Sequence, residues 1–217
     1  MTHRIFVVDD HALTRRGYAA LLGEEIDLAV VGEAESADAA LDAFARDLPD
    51  LVVLDLTLGG MSGLELLKHL GARYPELPVL VVSMHDEALY GERVLRAGAR
   101  GYVMKSEVDT VIVEAIRRVV RGGVYVSEPM STKILMQYAG APSGPPASPV
   151  EALSDRELEV FEHLGRGAST AEIAGAMVVS TKTVDTYRAR IKDKLGLGSH
   201  GDLLRRAADW ARDASAL

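Results

Sequence analysis

Five short apolar runs alternate with amphipathic stretches over the first 120 residues, and this alternation constrains the fold more than any other feature. The runs are nearly continuous in Val, Leu and Ile, which is typical of strands buried on both faces. Strands that alternate with helices form a parallel sheet with right-handed crossovers. We therefore predict a doubly wound α/β domain of five strands. The predicted strands are 4–8, 28–34, 51–55, 78–83 and 101–104, and the predicted helices are 12–23, 36–47, 63–73, 87–98 and 107–121.

A tract dense in Pro, Gly, Ala and Ser follows the α/β pattern. We interpret residues 140–150 as a semi-rigid linker and predict a short helix before it, at 128–139. Beyond the linker the chain has helical periodicity only. The predicted helices there are 155–166, 170–178, 181–195 and 200–214.

Two of these helices begin with Ser-x-x-Glu, at Ser154 to Glu157 and at Ser169 to Glu172, which is the pattern of a reciprocal capping box. The predicted fold class is therefore a flavodoxin-like doubly wound five-stranded parallel sheet followed by an all-α domain of four helices. The predicted organisation is an α/β domain at 1–121, a linker with a short helix at 122–150 and the helical domain at 151–217.

The net charge of −8 lies mainly in the first predicted domain, where 13 basic and 20 acidic residues give −7. The helix predicted at 181–195 is an exception, with five basic and two acidic residues. The absence of Cys removes disulfides and thiolate metal sites. No apolar run approaches the roughly 20 residues that a membrane span needs. We expect a cytoplasmic protein with no membrane partner.

Polar side chains stand where the predicted strands end. Asp9 and Asp10 follow the first strand, Asp55 the third, Ser83 the fourth and Lys105 the fifth. The carboxyl ends of parallel strands share one edge of the sheet, where ligands bind in open α/β folds. Each residue taken alone is more often a turn former, a helix cap or a surface residue, but their conjunction favours a functional site.

Phosphoryl transfer is the chemistry that needs this set, because its catalysis consists mostly of positioning and charge neutralisation. Asp55 would be the nucleophile, and Lys105 would pair with the oxygens of the transferred group. An oxygen-only ligand set suits Mg²⁺, which Asp10 and Asp55 would hold. The product would be an acyl phosphate, whose oxygens can recruit the hydroxyl of Ser83.

The stretches VVDD, VVLDLTLGGMSG, VLVVS and GYVMK resemble the receiver domain of two-component response regulators over residues 3–121. The resemblance implies that a sensor histidine kinase phosphorylates Asp55. It implies a Mg²⁺ site formed by Asp9, Asp10, Asp55 and the backbone carbonyl of Thr57. It also implies that Ser83 moves toward the phosphoryl group while Tyr102 swings inward.

The turn after Asp55 departs from the family pattern, in which Met-Pro commonly stands where this chain has Leu58-Gly59, so that Gly59 replaces the Pro. Gly in place of Pro raises the conformational entropy of the unfolded loop. We expect this change to affect loop rigidity and phosphorylation rate, because it removes no catalytic atom.

The helix predicted at 181–195 is amphipathic. Val184, Tyr187, Ile191 and Leu195 form an apolar stripe at helical spacing, and the opposite face carries Lys182, Asp185, Thr186, Ala189 and Arg190. A helix-turn-helix offers such a face to the DNA major groove, with flanking basic residues on phosphates. The residues alone leave open a solvated charged helix in a protein-binding bundle.

The segments LSDRELEV, EIA, STKTV and KLG are similar to LuxR-type helix-turn-helix domains over residues 151–215. A receiver followed by this domain resembles the NarL/FixJ class of transcriptional regulators. The resemblance implies binding to double-stranded DNA, and because one helix-turn-helix reads few base pairs it implies a homodimer when active. The predicted DNA-binding residues are Ser169, Thr170, Lys182, Thr183, Asp185, Thr186, Arg188, Ala189, Arg190, Lys192 and Lys194.

Two departures concern the DNA contacts. Thr170 and Ala171 stand where family members often have Asn-Lys, and Asp185 stands where they often have Lys. A carboxylate accepts hydrogen bonds from cytosine N4 and avoids phosphates, so we expect Asp185 to tune sequence choice. We assign phosphate contacts to Lys182, Arg188, Arg190, Lys192 and Lys194.

Two other functions compete with a phosphorylation-controlled regulator. One is a regulator with the same DNA-binding domain whose phosphorylation site is idle. The other is an enzyme on the α/β domain, but no G-x-G-x-x-G follows the first strand, and a haloacid-dehalogenase-type phosphoesterase would have Asp where Thr57 stands. We therefore expect no enzymatic activity beyond self-catalysed phosphotransfer and autodephosphorylation.

Overall fold

The computed structural model describes residues 2–139 and 148–214, and the predicted linker lies mostly outside them. The chain divides into two compact units, Met1–Leu135 and Met136–Leu217. The predicted boundaries at 121 and 150 stay predictions. Within the described residues, no helix has both the length and the apolar character to cross a membrane.

The first unit is a five-stranded parallel sheet in the order β2-β1-β3-β4-β5, flanked by helices. This order is that of the flavodoxin-like doubly wound fold, so the predicted fold class is confirmed. The strands are β1 (His3–Val8), β2 (Leu28–Ala34), β3 (Leu51–Leu54), β4 (Val79–Ser83) and β5 (Gly101–Met104), and the helices are α1 (Ala12–Gly23), α2 (Ala37–Phe44), α3 (Gly63–Arg73), α4 (Glu87–Arg96), α5 (Val108–Val120) and α6 (Glu128–Tyr138). α6 ends in the second unit.

The core of this sheet follows from its sequence periodicities. β3 and β4 are buried at every position, as expected for central parallel strands. α5 packs on the sheet through residues at i, i+3, i+4 and i+7, all nearly inaccessible to solvent. These are Ile112, Ala115, Ile116 and Val119.

Several helices end one to three residues earlier than predicted, and at α2 and α4 the reason is local. α2 ends at Phe44 rather than 47, before Leu48-Pro49, where the proline disfavours helical backbone in the preceding residue. α4 ends at Arg96 rather than 98, because Gly98 has a φ of 107° that ends the helix.

The second unit contains α7 (Asp155–Gly165), α8 (Thr170–Ala176), α9 (Thr181–Leu195) and α10 (His200–Ala214), preceded by a short 3-10 helix, Pro149–Ala152. Its core lies between α7, α9 and α10. The ring of Phe161 lies 5.7 Å from that of Trp210. Both predicted capping boxes are present.

Candidate phosphoacceptor pocket and nucleic-acid interface

The carboxyl ends of β1, β3 and β5 bring three predicted residues into direct contact. Asp9 and Asp55 follow the adjacent strands β1 and β3, and Lys105 follows β5. Lys105 Nζ donates to Oδ2 of Asp9 and to Oδ2 of Asp55, each at 2.7 Å. Both carboxylates are nearly inaccessible, with 1% and 3% exposure. The predicted meeting of these side chains at one sheet edge is therefore observed.

Asp10 and His11 extend the acidic cluster toward solvent. His11 Nδ1 lies 2.6 Å from Oδ1 of Asp10. Asp9, Asp10, His11 and Asp55 each offer one ligand atom, and these four atoms lie within 4.8 Å of one another. Three of the four are carboxylate oxygens, the hard donors that Mg²⁺ prefers. The donor set therefore fits a divalent cation of this kind.

Burial and the neighbouring cation act in opposite directions on the pKa of Asp55. Removal from water raises the pKa of the Asp55 carboxyl, and the charge of Asp9 raises it further, whereas hydrogen bonding to Lys105 lowers it. The net direction is upward. For Lys105, burial lowers the pKa, but the hydrogen bonds and charges of Asp55 and Asp9 outweigh burial and raise it. Lys105 thus stays cationic and neutralises part of a site that holds buried negative charge.

Ser83 and Tyr102 lie on the two strands beyond β3. Ser83 ends β4, is fully buried, and accepts a hydrogen bond from the His85 amide at 3.2 Å. The Tyr102 hydroxyl donates to the His85 carbonyl at 2.6 Å, and its ring is 1% exposed. Burial raises the pKa of Tyr102. The ring has the inward orientation in this structure, and its predicted movement stays a prediction.

The turn after Asp55 is fixed by close backbone packing. The Thr57 amide donates to Oδ1 of Asp55 at 3.2 Å, and the role of its carbonyl as a metal ligand stays a prediction. Gly63, the first residue of α3, is so close to the Asp55 backbone that a Cβ would lie 2.0 Å from the Asp55 carbonyl oxygen. Gly59, in contrast, is exposed, with open space around a Cβ. Gly63 is thus the glycine that the pocket requires.

Two histidines and one arginine at this pocket were missed by the sequence reasoning. His11 directly follows Asp10, and His85 lies two residues after Ser83, so their positions next to predicted residues were the available signal. His85 Nε2 lies 3.2 Å from Oγ1 of Thr57, and its ring stacks on Tyr90. Arg15 Nη1 donates to the Asp9 carbonyl at 2.8 Å.

In the second unit, α8 and α9 are joined by a tight turn and form a helix-turn-helix. Ser169 caps α8 by accepting from the Glu172 amide at 3.3 Å. Ser180 caps α9 by accepting from the Thr183 amide at 3.1 Å. α9 buries Val184 and Ile191, while Tyr187 and Leu195 are half-buried. The predicted apolar stripe is therefore confirmed, with burial strongest at its centre.

The opposite face of α9 is exposed along its length. Its exposed side chains are those of Lys182, Asp185, Thr186, Ala189 and Arg190. Among the described residues, neither Lys182 nor Arg190 has an ion pair, and Lys192 is half-buried. Thr183 lies partly buried, with its Oγ1 2.8 Å from Ser180 Oγ.

Two basic residues predicted as phosphate contacts have protein partners. Lys194 Nζ lies 2.6 Å from Oε2 of Glu157, a buried carboxylate of the α7 capping box. Arg188 has a side chain only 17% exposed and contacts Thr170 on α8. Arg188 is therefore largely enclosed by the fold, whereas Lys194 pairs with Glu157 and keeps 40% of its side chain exposed. Both phosphate contacts stay predictions.

Two family models together match most of the chain. The model of the response regulator receiver domain matches residues 5–117. The model of bacterial regulatory proteins of the luxR family matches residues 151–207. The first match contains the acidic pocket, and the second contains the helix-turn-helix.

Two relatives match this chain over nearly its whole length. The chain is 38% identical over 205 residues to the transcriptional activator protein ExaE of Pseudomonas putida, covering 94% of this chain and 95% of that protein. It is 32% identical over 208 residues to the oxygen regulatory protein NreC of Staphylococcus carnosus, covering 94% and 96%.

A solved structure agrees at the level of the fold. RcsB from Salmonella enterica serovar Typhimurium, solved bound to a promoter in the presence of the phosphomimetic BeF3⁻, is 22% identical, with a TM-score of 0.69 over 96% of this chain and 99% of that chain. The chain therefore belongs to the two-component response regulators of the NarL/FixJ class, transcriptional regulators that join a receiver domain to a LuxR-type DNA-binding domain.

Proposed function

We propose that phosphorylation of Asp55 by a partner histidine kinase controls the binding of this regulator to double-stranded DNA. The observation that carries the proposal is the contact of the buried Asp55 carboxylate with Lys105 at the edge of the acidic cluster. A buried carboxylate with an upward-shifted pKa, paired with a cation in a cleft, is a candidate nucleophile. The family is one of regulators rather than classical enzymes, so we propose only self-catalysed phosphotransfer and autodephosphorylation.

The proposed transfer forms one bond and breaks one. An oxygen of the Asp55 carboxylate attacks the phosphorus of a phosphohistidine, the P–N bond breaks, and its electron pair goes to the ring nitrogen. The leaving imidazole takes up a proton from solvent. Lys105 then pairs with the transferred oxygens, and the half-exposed side of the pocket at Asp10 and His11 admits the donor. Asp9, Asp10, Asp55 and the Thr57 carbonyl would hold Mg²⁺. Bound Mg²⁺ neutralises charge on the phosphoryl oxygens.

The acyl phosphate changes the contacts that organise the β4–α4 loop. The phosphoryl group adds about one and a half to two negative charges and three strong acceptors. Ser83 now accepts from the His85 amide, and Tyr102 donates to the His85 carbonyl. Recruitment of the Ser83 hydroxyl by the phosphoryl group would shift the population of this loop.

For DNA binding, we propose that the exposed face of α9 enters the major groove. Asp185 and Thr186 would meet base edges, and Lys182 and Arg190 would meet phosphates. Because one such helix reads few base pairs, the active form is a homodimer on paired half-sites. We propose that the protein acts in the cytoplasm, where its proposed DNA target lies.

The test compares the wild type with Asp55→Asn, and uses Asp38→Asn, an exposed position on α2, as the matched control. Each full chain is incubated with Mg²⁺ and acetyl phosphate, phosphorylation is read by mass spectrometry, and binding to duplexes selected from a random library is titrated. We expect phosphorylation and tighter DNA binding in the wild type and the control only. Identical binding curves for the wild type and Asp55→Asn would favour the phosphorylation-independent regulator. Multiple turnover of small phosphoesters would favour the enzyme.

A further inference from the structure

Arg188 differs from the exposed basic residues of α9, Lys182, Arg190 and Lys194, in where its side chain lies. It is four residues after Val184 and three before Ile191, and both of these are fully buried. Arg188 therefore lies at the edge of the buried face of the helix. Its side chain is 17% exposed, whereas that of Arg190 points to the exposed face.

The guanidinium of Arg188 connects three helices. Nη1 donates to Oγ1 of Thr170, the first residue of α8, and lies 3.3 Å from Oδ1 of Asp185 on its own helix. Nη2 contacts the ring of His200, the first residue of α10. One side chain thus ties the beginnings of α8 and α10 to the middle of α9.

This arrangement depends on the shape of arginine. Its planar guanidinium presents several donors in a fixed fork, whereas a lysine ammonium is a point charge on a flexible stem. Asp185 is the partner that faces outward, with 65% of its side chain exposed. The contact with Arg188 holds Asp185 in one rotamer, so that its second carboxylate oxygen points in a restricted direction. Direct readout of a base edge requires an acceptor with a restricted direction.

We propose that Arg188 is a positioning residue that orients Asp185 for base recognition, and that it does not contact DNA phosphates. The proposal rests on the base-reading role of Asp185 put forward above. It predicts that removal of Arg188 changes which base is preferred at the position that Asp185 reads. Removal of a phosphate contact weakens binding to all sequences and reduces its salt dependence.

The experiment uses the full chain with Mg²⁺ and acetyl phosphate, and a random-sequence duplex library as the probe. The variants are Arg188→Ala, Asp185→Ala and the double variant, with Arg190→Ala as the matched control for an exposed arginine on the same helix. Base preferences are read from the selected duplexes, and the slope of log affinity against log salt is measured on the best duplex. Trp210 fluorescence reports whether each variant is folded.

We expect Arg188→Ala and Asp185→Ala to lose about tenfold discrimination at the same base position, with no further loss in the double variant. The salt slope should stay at the wild-type value for Arg188→Ala and fall by about one for Arg190→Ala. A lower slope with unchanged base preference for Arg188→Ala would overturn the proposal. If Asp185→Ala itself leaves base preference unchanged, the base-reading role of Asp185 fails instead.

Arg188→Lys covers the case in which Arg188→Ala does not fold. It retains the charge but cannot join Thr170, Asp185 and His200 in one fork. We expect the same loss of discrimination with an unchanged salt slope. Wild-type base preference in Arg188→Lys would show that charge alone suffices, and would also overturn the proposal.

Discussion

The ammonium of Lys105 lies 2.7 Å from the carboxylate of Asp55, and both groups are largely removed from solvent. The same ammonium also holds Asp9 at 2.7 Å. One cation therefore serves two buried carboxylates, and at Asp55 its attraction does not offset burial and the repulsion of Asp9. The ionised carboxylate of Asp55 is therefore less stable in the folded protein than in water.

Asp55→Asn is expected to stabilise the first unit at neutral pH. Because the folded-state pKa of Asp55 is raised above its unfolded value, ionisation of this group costs stability as the pH rises through the folded pKa. The Asn side chain does not ionise and has no such cost. The gain in the free energy of unfolding of Asp55→Asn over the wild type should therefore be absent below the ordinary pKa of Asp, grow with rising pH and then level off. Urea unfolding followed by circular dichroism at several pH values measures it, and a variant less stable than the wild type at pH 7 would contradict the direction.

Lys105→Gln should destabilise the same unit by about 3 kcal/mol at neutral pH, because it leaves two buried carboxylates without a cation. The loss should shrink in acid, as the carboxyls take up protons. Added Mg²⁺ should raise the melting temperature of this variant more than that of the wild type, because the cation neutralises the same acids. Arg16→Gln, which removes a cation at an exposed position on α1, is the control, with an expected change under about 0.5 kcal/mol. Equal effects of the two substitutions would argue against the ion pair.

The sequence predicted the pocket well because one rule governs it. The carboxyl ends of parallel strands share one edge of the sheet, so residues that directly follow β1, β3 and β5 lie along that edge, and the long side chain of Lys105 spans β4 to reach Asp55. Asp55 and Lys105 are 50 residues apart in the chain and in contact in the structure. The strand pattern alone carried that information.

The DNA-binding helix was harder to predict because its surface depends on neighbouring helices. Charge placed Arg188 and Lys194 among the phosphate contacts, but their partners, Thr170 and Glu157, lie on α8 and α7. The spacing of residues within α9 does not predict which acceptors on other helices lie next to its side chains. For Arg188 a signal existed, its spacing from Val184 and Ile191, which indicates the edge of the buried face.

Gly63→Ala is expected to destabilise the first unit by about 3 kcal/mol. A Cβ there would lie 2.0 Å from the Asp55 carbonyl oxygen and 2.7 Å from the Leu56 Cα, both backbone atoms that a rotamer change cannot move. Displacement of the Asp55 backbone should also slow phosphorylation by acetyl phosphate.

Gly59→Ala is the matched control, because it adds the same methyl group to the same turn with nothing within 4 Å. We expect its stability to stay within about 0.5 kcal/mol of the wild type, with a small gain from reduced unfolded-state entropy. Urea unfolding of the two variants side by side distinguishes a steric effect at Gly63 from a general sensitivity of the turn, which would lower both.

Val178→Asn should stabilise the second unit by about 1 kcal/mol. Val178 lies in the turn between α8 and α9 with a φ of 54°, a left-handed backbone conformation that is costly for a β-branched residue. Its side chain is 74% exposed, so little buried apolar area is lost on replacement. Asn adopts this conformation readily without the extra unfolded-state freedom of Gly.

Val178→Ala, which keeps a Cβ without the branch, should gain less. Trp210, the one tryptophan of the chain, lies beside Phe161 and reports the unfolding of this unit. A loss of stability in Val178→Asn would mean that the apolar side chain outweighs the backbone strain at this turn.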